Sequence, residues 1–278
     1  MKLQEAKQPI SDDQLEILQQ DILERYGYDF TEYSKASFKR RIQRIYALKN
    51  ISGFDEFRQL LLSDKDYFYH ALTEISVNVT EMFRDPGFYK TIREKVIPEL
   101  ATNAHIRIWH AGCATAEEVF SMAILLHEEG LLHKSLLYGT DINPRAIEKA
   151  RKSIFPISYM QQYSRNYLES GGTGDFSSYY TANYGMVKFK EELSEKIIFS
   201  THNLVSDASF NSFQMIFCRN VLIYFEKSLQ AKVITLFDNS LELNGFLALG
   251  SKESIRFSPV DLSYKPVSGH EKVWRKVK

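Results

Sequence analysis

The stretch that most constrains this chain runs from Ile106 to Lys152, where a strand pattern, a small-residue turn, a helix pattern, a second strand and a second helix follow one another. Ile106-Arg107-Ile108-Trp109 is short and rich in β-branched and aromatic residues, a Gly-containing turn follows, and Glu117 to about Gly130 reads as helix. A second strand, Ser135 to Thr140, ends at Asp141, and Pro144 suits the first turn of a helix reaching Lys152. This alternation points to a parallel sheet, since parallel neighbours need a crossover connection.

Further strands are expected at Lys196 to Ser200, Met215 to Cys218, Phe246 to Gly250 and Lys272 to Val277, with a helix from Glu226 to Leu243 ahead of Gly245. The stretch 157–194 is richer in Tyr, Ser and Gly, with Gly171-Gly172-Thr173-Gly174 as a turn, and reads as an inserted β-hairpin flap. Upstream, Ser11 to about Leu100 is helical: Leu15, Ile17, Leu18 and Ile22 share one face, as do Phe54, Phe57, Leu60 and Leu61, and Ser11 is a candidate N-cap. The expected organisation is an all-helical domain with its linker over 1–90, then an α/β, Rossmann-like domain over 91–278 carrying a small antiparallel β flap at about 157–194.

Composition excludes several classes. With 278 residues and 44% hydrophobic content the chain can bury a substantial core, and its 35 Lys+Arg balance 35 Asp+Glu. There is no global field to draw it onto nucleic acid or anionic lipid. No run approaches the ~18 apolar residues of a membrane span, and residues 1–9 lack a basic head followed by an apolar stretch, so a cytoplasmic protein without membrane insertion is expected. Cys113 and Cys218 form no metal spacing and read as reduced core residues, and no metal site is expected.

The segment Ala111-Gly112-Cys113-Ala114-Thr115-Ala116-Glu117-Glu118 leaves a strand and enters a helix with small residues, which let a backbone approach a ligand closely. Asp141, at the carboxyl end of the next strand, is placed to accept hydrogen bonds from ribose hydroxyls. NAD, FAD and S-adenosylmethionine all carry a ribose. The absence of a full Gly-x-Gly-x-x-Gly weakens the case for a pyrophosphate and favours a ligand without phosphate, such as S-adenosylmethionine.

Several blocks together resemble the CheR family of chemoreceptor glutamate methyltransferases. They are Asn78-Val79-Thr80-Glu81-Met82-Phe83-Arg84-Asp85; Ile106 to Ala123, similar to the family's Gly-Cys-Ser-Thr-Gly-Glu-Glu-Pro-Tyr-Ser; Gly139-Thr140-Asp141-Ile142; His202-Asn203-Leu204; and Ile216-Phe217-Cys218-Arg219-Asn220-Val221-Leu222-Ile223-Tyr224-Phe225. The resemblance implies a class I methyltransferase fold using S-adenosylmethionine and releasing S-adenosylhomocysteine. It implies a cofactor site lined by Asn78, Thr80, Arg84, Glu118, Asp141, Asn203, Leu204, Asn220 and Val221. Glu118 and Asp141 would accept from the cofactor's amino and ribose hydroxyl groups, and Asn203 beside Leu204 would suit an adenine.

The implied reaction needs no general base, because a glutamate carboxylate, with its ordinary pKa of about 4.3, is already ionised at neutral pH. Arg84 and Tyr224 would be the catalytic positioning groups, the first pairing with one carboxylate oxygen and the second orienting the substrate or the methyl group. The implied partner is the long helical cytoplasmic domain of a chemoreceptor, docked on Arg40, Arg41 and Arg44, by an enzyme expected to be a monomer. In some family members the flap also pairs with a receptor tail by strand addition.

Three departures from the family stand out: Ala114 for Ser, Ala116 for Gly, and Val119-Phe120 for Pro-Tyr. If Ala116 must adopt φ > 0, alanine costs on the order of 1 kcal/mol. A methyltransferase-like signalling protein without turnover, and a methyltransferase of another carboxylate, therefore stay open as alternatives. A nucleic-acid methyltransferase is disfavoured by the neutral charge and the lack of an Asn/Asp-Pro-Pro-Tyr-like base-flipping motif.

Overall fold

The structure, a computed structural model, describes residues 9–48, 51, 53–77, 79–256 and 258–278. The chain forms two compact units, one ending at Val77 and joined by the segment Ile223–Gln230, the other comprising Asn78–Leu222 and Ala231–Lys278. Among the described residues no helix is long and apolar enough to cross a membrane.

The first unit is helical: α1 Asp12–Tyr26, α2 Lys35–Leu48, α3 Phe54–Ser63 and α4 Lys65–Ile75. Ser11 starts α1 with a capping box, its hydroxyl accepting from the Gln14 N–H while the Gln14 side chain accepts from the Ser11 N–H. Asp64 ends α3 and caps α4 by accepting from the Tyr67 N–H. Leu15, Leu18 and Ile22 of α1 are buried with Phe38, Ile42, Phe57, Leu61, Phe68 and Leu72 in one core, while Ile17, expected on that face, is 48% exposed. Position 17 lies about 100° or more off the line through 15, 18 and 22 on a 3.6-residue helix. The Tyr224 carbonyl accepts from the Ser34 N–H at 2.8 Å, and Phe225 meets the Tyr33 ring edge-on, which ties the Ile223–Gln230 segment to this unit.

The second unit opens with α5 Pro86–Thr91, a π-helical stretch Ile92–Val96 and α6 Ile97–Leu100, which precede strand β1 Ile106–Ala111. There follow α7 Glu117–Glu128, β2 Ser135–Asp141, α8 Pro144–Lys152, β3 Ile154–Pro156, α9 Met160–Glu169, β4 Tyr180–Asn183, β5 Met186–Phe189, α10 Glu191–Ser194 and β6 Ile197–Thr201. β7 Phe213–Cys218, α11 Lys227–Ser240, β8 Leu241–Leu249, β9 Tyr264–Pro266 and β10 Val273–Lys276 complete the chain. The large sheet has the order β6-β2-β1-β7-β8-β10-β9, parallel from β6 to β8 and antiparallel beyond. From β1 the chain moves to β2 and β6 on one side, then returns to β7 on the other. The crevice at the carboxyl ends of β1 and β7 is thus the topological switch point where open α/β sheets bind ligands.

Two expectations need correction. The helix expected to reach Leu243 stops at Ser240, because Leu241 pairs with Phe213 and begins β8; Met215 then pairs with Phe246, so β8 bulges between them, with Asn244 at φ 65°. Gly245 lies in that bulge instead of ending a helix. The insert is more than a hairpin: β3, β5 and β4 form a three-stranded antiparallel sheet that begins at Ile154. It also contains α9, whose buried Met160, Tyr163 and Tyr167 are spaced as one helix face, a period masked by the surrounding Tyr, Ser and Gln.

Candidate functional site

The loop between β1 and α7 has a backbone that most residues avoid. Gly112, Ala114 and Ala116 all take positive φ, at 76°, 48° and 79°. Left-handed geometry costs a non-glycine residue roughly 1–2 kcal/mol, so the two alanines are strained. The hydrogen bonds of the loop explain why the geometry persists. The Gly112 and Cys113 N–H groups both donate to the Thr140 carbonyl at 2.8 Å, and the Ala114 N–H donates to Asp141 Oδ2 at 2.9 Å. A side chain at Gly112 is excluded because its Cβ would lie 2.5 Å from Cγ2 of Val221, where the loops after β1 and β7 meet.

Asp141 is 6% exposed and also accepts from the Asn143 N–H at 2.9 Å through Oδ1. Burial raises its pKa, opposed by the backbone N–H groups of Asn143, Ala114 and Ile142. A carboxylate offers about four lone-pair sites, so with these three donors it keeps capacity for another. The His202 N–H donates to the Asp141 carbonyl at 3.1 Å, which brings Asn203 and Leu204, both partly buried, after β6. Asn203 Oδ1 accepts from the Val205 N–H at 3.0 Å. Asn220, at φ 61°, donates its N–H to Glu253 Oε2 at 2.9 Å beyond the end of β7.

Glu118 sits in an ion network that the sequence reading missed. His110 Nδ1 lies 2.9 Å from its Oε1, and Arg219 Nη1 donates to its Oε2 at 3.4 Å. Arg219 Nη2 also donates to Asp85 Oδ2 at 2.6 Å, and its guanidinium lies 4.0 Å from the centre of the Phe88 ring. Burial pushes the Glu118 carboxyl upward, but the His110 hydrogen bond and the Arg219 charge outweigh it and hold the pKa low. Glu117, one residue earlier, has no such cation among the described residues: burial pushes it up to about 7 although the Thr115 hydroxyl donates to it at 2.7 Å. Polar residues inside otherwise apolar runs, His110 in Ile-Trp-His-Ala and Arg219 after Ile-Phe-Cys, were the available signal.

Arg84 belongs to the segment between the units' sequence boundary and α5. Its backbone is fixed, the carbonyl accepting from Arg219 Nη2 at 3.3 Å, whereas its side chain is partly exposed and, among the described residues, donates only to the Val79 carbonyl at 3.4 Å. Thr80 is partly buried in the same segment, and Asn78 lies outside the described residues. Thus Asp141, Glu118, Asn203, Leu204, Asn220 and Val221 gather at the carboxyl ends of β1, β2, β6 and β7. Tyr224 packs by its backbone with the helical unit. Arg40 is exposed and Arg41 partly buried on α2, both without an ion pair among the described residues, while Arg44 Nε lies 3.6 Å from Glu74.

Residues 78–269 match the family described as CheR methyltransferase, SAM binding domain, and residues 13–76 match its all-alpha domain. The chain belongs to the CheR methyltransferase family. It is 41% identical over 268 residues to the putative methyltransferase Cher3 of Pseudomonas putida, covering 96% of this chain and 97% of that one. It is 29% identical over 238 residues to the chemotaxis protein methyltransferase of Listeria innocua, covering 84% and 87%. It also matches, at 28% identity over 255 residues, an uncharacterized 104.1 kDa protein of Rhodobacter capsulatus, covering 89% of this chain but 26% of that longer protein.

This CheR family member is therefore a methyltransferase whose cofactor is S-adenosylmethionine. The donor set fits that molecule: Asp141, buried, and Glu118, partly buried, are acceptors that suit a ligand rich in hydroxyl and ammonium donors, and their two carboxylates suit a cationic sulfonium. Ala116 keeps the φ > 0 geometry of the loop despite its Cβ, so the departure from the family's Gly is accommodated at the expense of strain.

Proposed function

We propose that this chain transfers the methyl group of S-adenosylmethionine to glutamate carboxylates of a chemoreceptor's cytoplasmic helical domain, acting as a cytoplasmic monomer in chemotaxis signalling. The observation that carries the reading is Arg84: a partly exposed guanidinium, held by its backbone beside the carboxyl-rich crevice, with no carboxylate partner among the described residues. Such a cation suits an anionic acceptor. The relatives named chemotaxis protein methyltransferase support a place in chemotaxis.

When bound, S-adenosylmethionine supplies an electrophilic methyl carbon on a positively charged sulfur. An ionised acceptor carboxylate would take that methyl on an oxygen lone pair, the S–C electrons staying on sulfur, so this chain would need to supply no general base. Asp141 would hold the ribose hydroxyls, Glu118 the amino group, and Asn203 with Leu204 the adenine, with Thr80, Asn220, Val221 and Asn78 completing the pocket. Arg84 would pair with one oxygen of the substrate carboxylate and leave the other free, and Tyr224 would orient the acceptor. On α2, Arg40 and Arg41 would meet acidic groups of the receptor, with Arg44 shared with Glu74.

The test combines labelled S-adenosylmethionine with a receptor cytoplasmic fragment and titrates S-adenosylhomocysteine calorimetrically into wild type and Asp141→Ala. The reading expects label that is released as methanol at alkaline pH, is absent when the receptor glutamates are replaced by alanine, and is lost with product affinity in Asp141→Ala. Tight product binding with no transfer to the fragment would remove the receptor as substrate.

A further inference from the structure

The segment that carries Arg84 has no regular structure between Val79 and Asp85, and two of its residues are strained: Phe83 at φ 50° and Asp85 at φ 58°. A buried aromatic in the left-handed region needs its surroundings to hold it there. Three side chains from distant parts of the chain do so. The Ser121 hydroxyl, on α7, accepts from the Phe83 N–H at 2.9 Å and donates to the Glu117 carbonyl at 2.7 Å. Arg219 donates to the Arg84 carbonyl and to Asp85. The third is Asn166 of α9, whose Nδ2 donates to the Met82 carbonyl at 2.9 Å.

Asn166 is 5% exposed and belongs to the insert between β3 and β4. Its amide orientation is determined chemically: Met82 O can only accept, so Nδ2 must face it, and Oδ1 then accepts from Gln162 Nε2 at 2.8 Å. Gln162, one turn earlier on α9 and exposed, therefore braces the amide from the other side.

We propose that Asn166 is a positioning residue for methyl transfer, holding the Met82–Arg84 backbone so that the Arg84 guanidinium meets the acceptor in a fixed place. The inference rests on the proposed role of Arg84 at the acceptor. It assigns to the insert a part in the chemistry separate from any partner the small sheet binds. Misplacing a reacting group by an ångström can cost about a hundredfold in rate, so a partial loosening is expected to cost about tenfold.

The experiment measures Asn166→Ala, Arg84→Ala and the double variant for methyl transfer to the receptor fragment, with product affinity by calorimetry and amide exchange at Phe83 and Arg84. Asn166→Ala is expected to lower kcat about tenfold with product Kd within about threefold, to speed exchange at both amides, and to add nothing further in the Arg84→Ala background. Gln162→Ala, at an exposed site that leaves the core intact, should lower kcat by about two- to threefold in the same direction. Additive losses, or equal losses in kcat and product affinity, overturn the proposal. A wild type that transfers no methyl to the fragment defeats the receptor reading instead; unchanged amide exchange in Asn166→Ala then still overturns the positioning role.

Discussion

Two strained segments border the crevice, and they are held in different ways. The Gly112–Ala116 loop keeps its left-handed residues through backbone N–H groups donated to one neighbouring strand end, Thr140 and Asp141 of β2. The Val79–Asp85 segment keeps Phe83 and Asp85 through side chains of Ser121, Asn166 and Arg219, contributed by three separate elements. The first device needs small residues, a strand-end carbonyl and one carboxylate, Asp141, and is indifferent to most other side-chain changes nearby. The second places the Arg84 cation, proposed to meet the acceptor, under the control of buried polar groups, each of which leaves an unsatisfied partner if removed.

One of the two largest expected effects tests the second device. Arg219→Ala strips the salt bridges to Asp85 and Glu118, the hydrogen bond to the Arg84 carbonyl, and the stacking on Phe88. The Asp85 carboxylate, 46% exposed, rehydrates, whereas Glu118, 16% exposed, is left with only His110 beside it, so removing the buried guanidinium costs about 3 kcal/mol. A urea titration of the variant should show a loss of this order. A loss below about 1 kcal/mol would mean the segment is held mainly by its own packing, and the contrast with the loop would collapse.

The other, of similar size, sharpens the opposite side, where the loop enters α7 at Glu117. Burial pushes this carboxyl from its ordinary value of 4.5 up to about 7. The folded state therefore binds its proton more tightly than the unfolded chain. The contribution to stability is fully present below 4.5 and is lost as pH rises through about 7. The loss amounts to about 3–4 kcal/mol, and Glu117→Gln should remove it, flattening the urea midpoint across this window and raising stability at alkaline pH. An unchanged pH slope in the variant would show that Glu117 reaches solvent in the folded state.

The same contrast explains what could be read from the residues alone. The loop was legible because its physics is local: small residues after a hydrophobic strand, then an acidic residue closing the next strand. The α9 helix hid behind a Tyr- and Ser-rich composition, and the bulge at Asn244 could not be separated from a helix end because Leu241 and Leu243 suit either period. The supports of the Arg84 segment were invisible for a different reason. Ser121, Asn166 and Arg219 lie 38, 84 and 135 residues along the chain from their partners, and nothing in a single sequence pairs such positions.

The smallest expected effect goes to the strain itself. Ala116 is fully buried at φ 79°, and Ala116→Gly removes a Cβ from a backbone geometry that glycine adopts freely. Two terms oppose each other. Relief of the left-handed conformation stabilises the folded state by about 1–2 kcal/mol. The unfolded chain gains freedom and the core loses a methyl group, which together take back about 1 kcal/mol or less. The net gain should be no more than about 1 kcal/mol in a thermal melt, with S-adenosylhomocysteine affinity unchanged, because the loop hydrogen bonds to Thr140 and Asp141 come from the backbone and survive the substitution. A several-fold tighter product affinity in Ala116→Gly would instead show that the methyl group intrudes on the ligand. The loop would then share the sensitivity of the Arg84 segment, with a side chain, not only a backbone, deciding how well it works.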